Sequence, residues 1–535
     1  MDGLTAGPSH NSPARACQPT ASIGPIFTPR RGVNAIATSS ISHLHDDLLH
    51  DIFYIIVQSK FACYTSSTNT PAGSMLILPA SHVCRHWRTL TLASPRLWSF
   101  LLLMAQTHPA MLCDFLSRSK NVLLSIKMLG YRVNDELFEM ARTLAEQHMG
   151  RIGELYISGF WQQDTPRLLA FFEDKPAPNL YALAVETSGL MMMIPLFGGR
   201  MPVLRRLQMK KITIPWLPLK DMVVLEISSQ THMPAKEDIL WTLHHSPALE
   251  VLSILLGEDS PQAAVIPANL TSDIAVHLPR LRELCLGSFG SNEDVLYFLS
   301  RLVFPPSVSV DLYLSGQLPE DVHLGDICPS IRAIQAQVIE GSIRFEYLCT
   351  VYNFAVQSPD RVFRVEWERS PVWEAPSDAH ALDSISLPDF KLQLLMIFAS
   401  GYEPSCQEWT DLLRRIPTLR HLEVDLRRNS FSSGCAKFAF FDALGEQGVE
   451  GEVPVVCPLL AQLVIKRAAI DDETQAEVWE ALRRALLSRA HAGAPKLELL
   501  EFVKGEDGHN LPLPGDVPVD RLAELVGRII IQHEE

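Results

Sequence analysis

From about residue 120 onward, a short apolar pattern recurs: Leu-x-x-Leu-x-Leu or its aliphatic equivalents, often just after a proline. Ile152/Leu155/Ile157 is the first clear copy, followed by Leu180/Leu183/Val185, Leu204/Leu207/Met209 and Met222/Leu225/Ile227. Leu249/Leu252/Ile254, Leu281/Leu284/Leu286 and Ile331/Ile334/Ala336 continue the series. Leu419/Leu422/Val424, Leu460/Leu463/Ile465 and Leu497/Leu500/Phe502 complete it. The last two apolar positions of each copy are two residues apart, the spacing of one face of a strand. Successive copies from Ile152 to Leu281 begin 18 to 32 residues apart, room for one strand and one returning helix. The pieces between fit helices, as in EDILWTLHHSPALE and DETQAEVWEALRRALLSRA; in the second, Glu480 and Arg484 stand at i, i+4 in the favourable order. The expected fold class is therefore α/β, a stacked repeat array over 115–535 whose pattern blurs between about 340 and 400.

The stretch before the repeats has helical periodicity. In SHLHDDLLHDIFYIIVQ, Leu48, Leu49, Ile52, Phe53 and Ile56 share one face, and Asp46 and Asp47 fall in the first turn, where the helix dipole favours anions. After a polar loop, CYTSSTNTPAGS, the segment LPASHVCRHWRTLTL predicts a second helix starting near Pro79. Ala80, Val83, Cys84, Trp87 and Leu90 would form its apolar stripe. Ser94-Pro95 ends it, and Leu97-Trp98 opens a short apolar element. These observations predict a tail over 1–40 with little to bury, a small helical unit over 41–105, and the repeats beyond.

Composition narrows the function classes. The 535 residues carry 46 Lys and Arg against 61 Asp and Glu, a net charge of −15. Phosphate-backbone binding needs clustered positive charge. The nearest cluster, Arg205, Arg206, Lys210 and Lys211, reads as an ordinary solvated strand edge, so nucleic acid is not an expected partner. Ten cysteines are scattered singly with no Cys-x-x-Cys pair, which favours a reducing compartment. The longest apolar stretch near Leu97 to Ala105 spans nine residues where a bilayer needs about twenty, and the first forty residues hold no secretory h-region. A soluble protein of the cytoplasm or nucleus is expected, with no membrane partner.

Candidate chemistry is sparse. No phosphate-binding Gly-rich loop, nucleophile elbow or His-Glu-x-x-His helix occurs, so neither enzyme activity nor a cofactor is expected. His82 and His86 stand at i, i+4, but on a helix Cys84 would lie about 200° round from them, so the three do not converge on a metal. His244-His245 reads as a helix end, and Asp471-Asp472-Glu473 as a helix N-terminus.

Residues 43–98 resemble an F-box of the kind found at the head of many fungal F-box proteins. Leu44-His45-Asp46-Asp47-Leu48-Leu49 and Ile52-Phe53 correspond to the family's Leu-Pro-x-Glu-Leu/Ile-Leu and Ile-Phe, with His45 in place of the usual proline. Val83-Cys84-Arg85-His86-Trp87-Arg88 matches Val-Cys-Arg-x-Trp-Arg in full, and Ser94-Pro95-Arg96-Leu97-Trp98 matches Ser/Thr-Pro-x-Leu-Trp. FLSRSKNVLLSIKM, 115–128, resembles the helix-to-strand step leading into such proteins' repeats, which here are leucine-rich-repeat-like but lack the usual asparagine. The resemblance implies a three-helix F-box-like domain and a substrate-binding solenoid. It further implies a substrate-recognition subunit of a Skp-cullin-F-box ubiquitin ligase. Leu44, Leu48, Leu49, Ile52, Phe53, Val83, Cys84 and Trp87 would then dock a Skp-family adaptor, and through it cullin and RING subunits, while the repeats hold an unidentified target protein. Two other classes stay open: an interaction scaffold outside any ligase, and an enzyme whose site depends on residues distant in sequence.

Overall fold

The structure, a computed structural model, describes residues 44–63, 73–161, 163–187, 196–212, 219–230, 235–256, 275–288, 292–315, 323–337, 340–346, 351–358, 361–368, 392–400, 405–425, 439–446, 455–466, 475–504 and 522–533. The N-terminal tail, most of the polar loop after Cys63 and the Asp471-Asp472-Glu473 triplet lie outside the described residues.

Three helices come first: α1 (Asp46–Cys63), α2 (Ile77–Ser81) and α3 (Arg85–Ala93). Here the sequence expectation is corrected. No single helix runs on from Pro79. The chain turns at His82 and Val83, and Cys84 takes an extended conformation whose thiol accepts the N–H of Trp87 at 3.4 Å, capping α3. Val83 and Cys84 are therefore exposed, off any buried stripe.

The remaining strands form one mainly parallel sheet. β1 (Phe100–Leu103) pairs with β2 (Leu124–Leu129), and β3 (Ile152–Phe160), β4 (Ala182–Thr187), β5 (Arg206–Lys210), β6 (Val224–Gln230) and β7 (Val251–Leu256) follow in order. A side pair, β8 (Val276–His277) with β10 (Leu302–Val303), stands apart, and the main sheet goes on through β9 (Glu283–Ser288) and β11 (Ser309–Ser315). The sheet thus begins inside the span expected for the helical unit.

The stretch where the pattern blurred holds an antiparallel meander: β12 (Glu340–Glu346), β13 (Val351–Ser358) and β14 (Arg361–Glu368). It folds back so that β14 lies beside β11 and β12 beside β15 (Leu394–Ser400), which reverses the local strand order to β11-β14-β13-β12-β15. β16 (His421–Asp425), β17 (Gln462–Lys466), β18 (Leu497–Lys504) and β19 (Val526–His533) then add in parallel.

The register explains the repeat motif. Leu101, Ile126, Leu155, Leu183, Leu207, Leu225, Leu252, Leu284, Val310 and Phe363 are aligned across ten strands, and each is at most 2% exposed. A second row two residues on, Ile157 through Leu286 to Val365, is buried likewise. In several copies the motif's first apolar residue sits just before the strand and its N–H closes a turn on the carbonyl three residues back: Leu180 on Ala177, Leu204 on Met201, Leu249 on Ser246, Leu281 on Leu278. Alternation then leaves the opposite face polar, with Lys127, Glu154, Gln208, Glu226, Asp311 and Arg364 half-exposed along it.

One copy of the motif is not a strand. Ile331 and Ile334 are buried on one face of the helix Pro329–Gln335, and Ala336 is its C-cap. An i, i+3 spacing fits a helix as well as this motif, and Pro329 at the first helical position decides for the helix. The segments EDILWTLHHSPALE and DETQAEVWEALRRALLSRA do hold helices, at Lys236–His244, which stops short of the SPALE end, and at Gln475–His491, but Glu480 pairs with Arg483 at i, i+3, while Arg484 faces Asp442 at 3.7 Å. One large hydrophobic core runs through the described residues from Leu49 in α1 to Val526 in β19, and Leu102 and Leu129 form a small cluster apart from it.

Candidate docking surface

α1 has two apolar faces. Leu49, Phe53, Val57 and Phe61, four residues apart, point inward and are at most 5% exposed. About a third of a turn away, Leu48, Ile52, Ile55 and Ile56 remain 53%, 38%, 61% and 45% exposed. Eighteen residues with this much aliphatic surface exceed what one buried stripe needs, so the helix carries apolar groups that its own fold leaves in water.

The inner face is built from aromatic contacts. Phe53 meets Trp87 of α3 edge-on at 5.0 Å, and farther along Tyr54 and Phe61 both pack on Phe100 of β1, at 5.7 and 5.4 Å. Lys127 of β2 donates to the carbonyl of Phe61 near the C-terminal end of α1, where the helix dipole favours a cation, and lies over the rings of Phe61 and Tyr156. Arg96 stacks on Tyr54 at 4.3 Å. At the other end, His86 Nε2 approaches Asp46 Oδ1 at 2.9 Å, both groups 56% exposed, bringing the α2–α3 turn to the first turn of α1. Val83 stands in that turn, 62% exposed.

The second tryptophan has a different task. Trp98 is fully buried, its Nε1–H donates to the Thr91 carbonyl at 2.9 Å, and its ring packs on Phe115 under the Arg118 guanidinium. It ties α3 to the helix Pro109–Arg118 that leads into the sheet.

The eight residues read from sequence therefore divide. Leu48, Ile52, Val83 and Cys84 are exposed. Leu44 and Trp87 are half-buried against the core. Leu49 and Phe53 are interior and leave the set, because their side chains are already covered by this chain. Ile55 enters it. Its position one helical turn beyond Ile52 was the available signal, but the sequence alone does not say which of two adjacent apolar stripes turns inward.

Lys210 meets Glu186 at 2.8 Å and Arg205 approaches Asp221 at 3.6 Å, so two of the four cations of the basic cluster have carboxylate partners. His244 ends the helix Lys236–His244, and His245 stacks on Trp241 at 3.9 Å. Among the described residues no three or more of His, Cys, Asp and Glu stand together as a metal would require, and no helix is long and apolar enough to cross a membrane. Neither a family model nor a curated protein matches the chain.

Proposed function

We propose that this protein is a non-catalytic substrate receptor of a Skp-cullin-F-box ubiquitin ligase, working in the cytoplasm or nucleus. Residues 44 to about 98 form the F-box-like unit, and the sheet with its helices forms a leucine-rich-repeat-like solenoid that holds a target protein. The observation that carries the reading is the second apolar face of α1. Four aliphatic side chains left in water on one helix, next to an equally apolar buried face, mark a surface meant to be covered by another polypeptide. The Leu-Leu-x-x-Ile-Phe and Val-Cys-Arg-x-Trp-Arg motifs that border that face point to a Skp-family adaptor as the cover. The polar strand face, with Glu226, Asp311 and Arg364 half-exposed on a stiff frame, suits recognition of a target at little ordering cost.

Co-expression with a Skp-family adaptor and a cullin tests this. The full chain should bring down both. Recovery of neither ends the proposal, and recovery of adaptor without cullin replaces it with an interaction scaffold.

A further inference from the structure

The two outer strands of the large sheet are treated differently. β1 is short and buried throughout; its Phe100 N–H donates to Ser74 Oγ, and Tyr54 and Phe61 cover the Phe100 ring. β19 is twice as long, pairs with β18 on one side, and has no strand on its other side among the described residues. Ile529 and Ile531 continue the two core rows, opposite Leu500 and Phe502, but are only half-buried where Leu500 and Phe502 are sealed.

Open edges are usually blunted by proline, lysine or a bulge. Val526–His533 has no proline, no lysine and no shift of register; its one fixed charge, Arg528, lies toward its start, and its centre is three consecutive isoleucines, strong strand formers.

We propose that β19 pairs antiparallel with β19 of a second copy of this chain, about a two-fold axis at Ile530. That register sets Ile529 opposite Ile531 and Ile530 opposite itself, so every isoleucine meets an isoleucine. Arg528 falls opposite Gln532 and Gly527 opposite His533, and no like charges face each other. Moving the axis to Ile529 would set Arg528 against Ile530, and moving it to Ile531 would set Ile529 against His533. The pairing is isologous, so it closes at two copies and leaves the covered β1 strands as the ends of the joined sheet. Given the proposed function, the dimer would present two target surfaces and two α1 faces, and bivalent targets would gain avidity. The pairing itself does not depend on that reading.

Sedimentation velocity of the full chain over a concentration series should show a monomer–dimer equilibrium. Ile530→Lys, which sets two lysines face to face on the axis, should leave monomer with an unchanged urea midpoint. Under mild oxidation Ile530→Cys should form a disulfide-linked dimer above the background set by the exposed Cys84 and Cys113 of the wild type. Residues facing each other across antiparallel strands are about 4.5–5.5 Å apart at Cα, within disulfide reach. Arg528→Cys should not cross-link, since its two copies would be about 13 Å apart along the strands. A chain that stays monomeric, a dimer that survives Ile530→Lys, or equal cross-linking at 528 and 530 would overturn the proposal.

Discussion

Truncating Leu48 and Ile55 together separates docking from folding. The two side chains are 53% and 61% exposed, so a partner that covers them buries about half of each. Full burial of such a side chain is worth about 1.5–3 kcal/mol, so half of it contributes about 1 kcal/mol apiece. Leu48→Ala/Ile55→Ala should therefore weaken adaptor binding by about 2 kcal/mol, roughly 30-fold in Kd. Folding should hardly change, because exposed substitutions shift stability by about 0.5 kcal/mol at most. Leu49→Ala gives the opposite signature: at 1% exposure it should cost about 2–5 kcal/mol of stability. Calorimetric titration with purified adaptor reads the first quantity, and urea denaturation of the same samples the second. Unchanged Kd in the double variant would refute the assignment of the two faces, as would a loss of binding that merely follows a loss of stability.

The rest of the fold offers further checks. Trp98→Phe removes the donor to the Thr91 carbonyl and should lower stability by about 1–3 kcal/mol, read as a shift in urea midpoint. Arg489 is buried in the helix Gln475–His491 and donates to the carbonyls of Val456 and Cys457; Arg489→Met takes the donor from the Val456 carbonyl, while the Cys457 carbonyl keeps the Leu460 N–H, and should cost roughly 1–3 kcal/mol, with Arg489→Lys recovering part. Burial pushes the Cys457 thiol up to about 12 from an ordinary 9 and is the first cause holding the Tyr156 phenol at about 12, against an ordinary 10, with Glu154 adding to it. The unfolded chain loses these protons first, so their stabilisation is complete below about pH 9 and is lost as pH rises toward 12. Urea midpoints measured upward from pH 8 should fall, less steeply in Cys457→Ala; a flat or rising wild-type profile would contradict this.

Most of the sheet is legible in the sequence because its core rows demand aliphatic residues at fixed offsets. Leu183, Leu207, Leu225 and Leu252 must be apolar to align, and Leu180, Leu204 and Leu249, just before three of those strands, close buried turns. The motif fails where other residues meet the same demand. β11 buries Val310, Leu312 and Leu314 through simple alternation, continuing from Val308 just before it, and β14 uses Phe363 and Val365. Nothing local announces that the meander folds back beside β11, since that pairing is set by strands fifty residues apart. The head shows the same limit. The apolar content of α1 is plain from sequence, yet which stripe turns inward depends on Trp87 and Phe100, brought against it by the tertiary fold. The break at Cys84 depends on a thiol acting as a helix cap, a role more often filled by Ser, Thr, Asp or Asn.

A photo-crosslinking side chain placed at Ile55 of the full protein and irradiated with adaptor present reports directly whether the outer face of α1 is the docking surface. A covalent chain–adaptor product is expected from position 55 and none from position 161, where Trp161 is equally exposed beyond the end of β3. Adaptor that binds without cross-linking at 55, or that cross-links equally at 161, would contradict it.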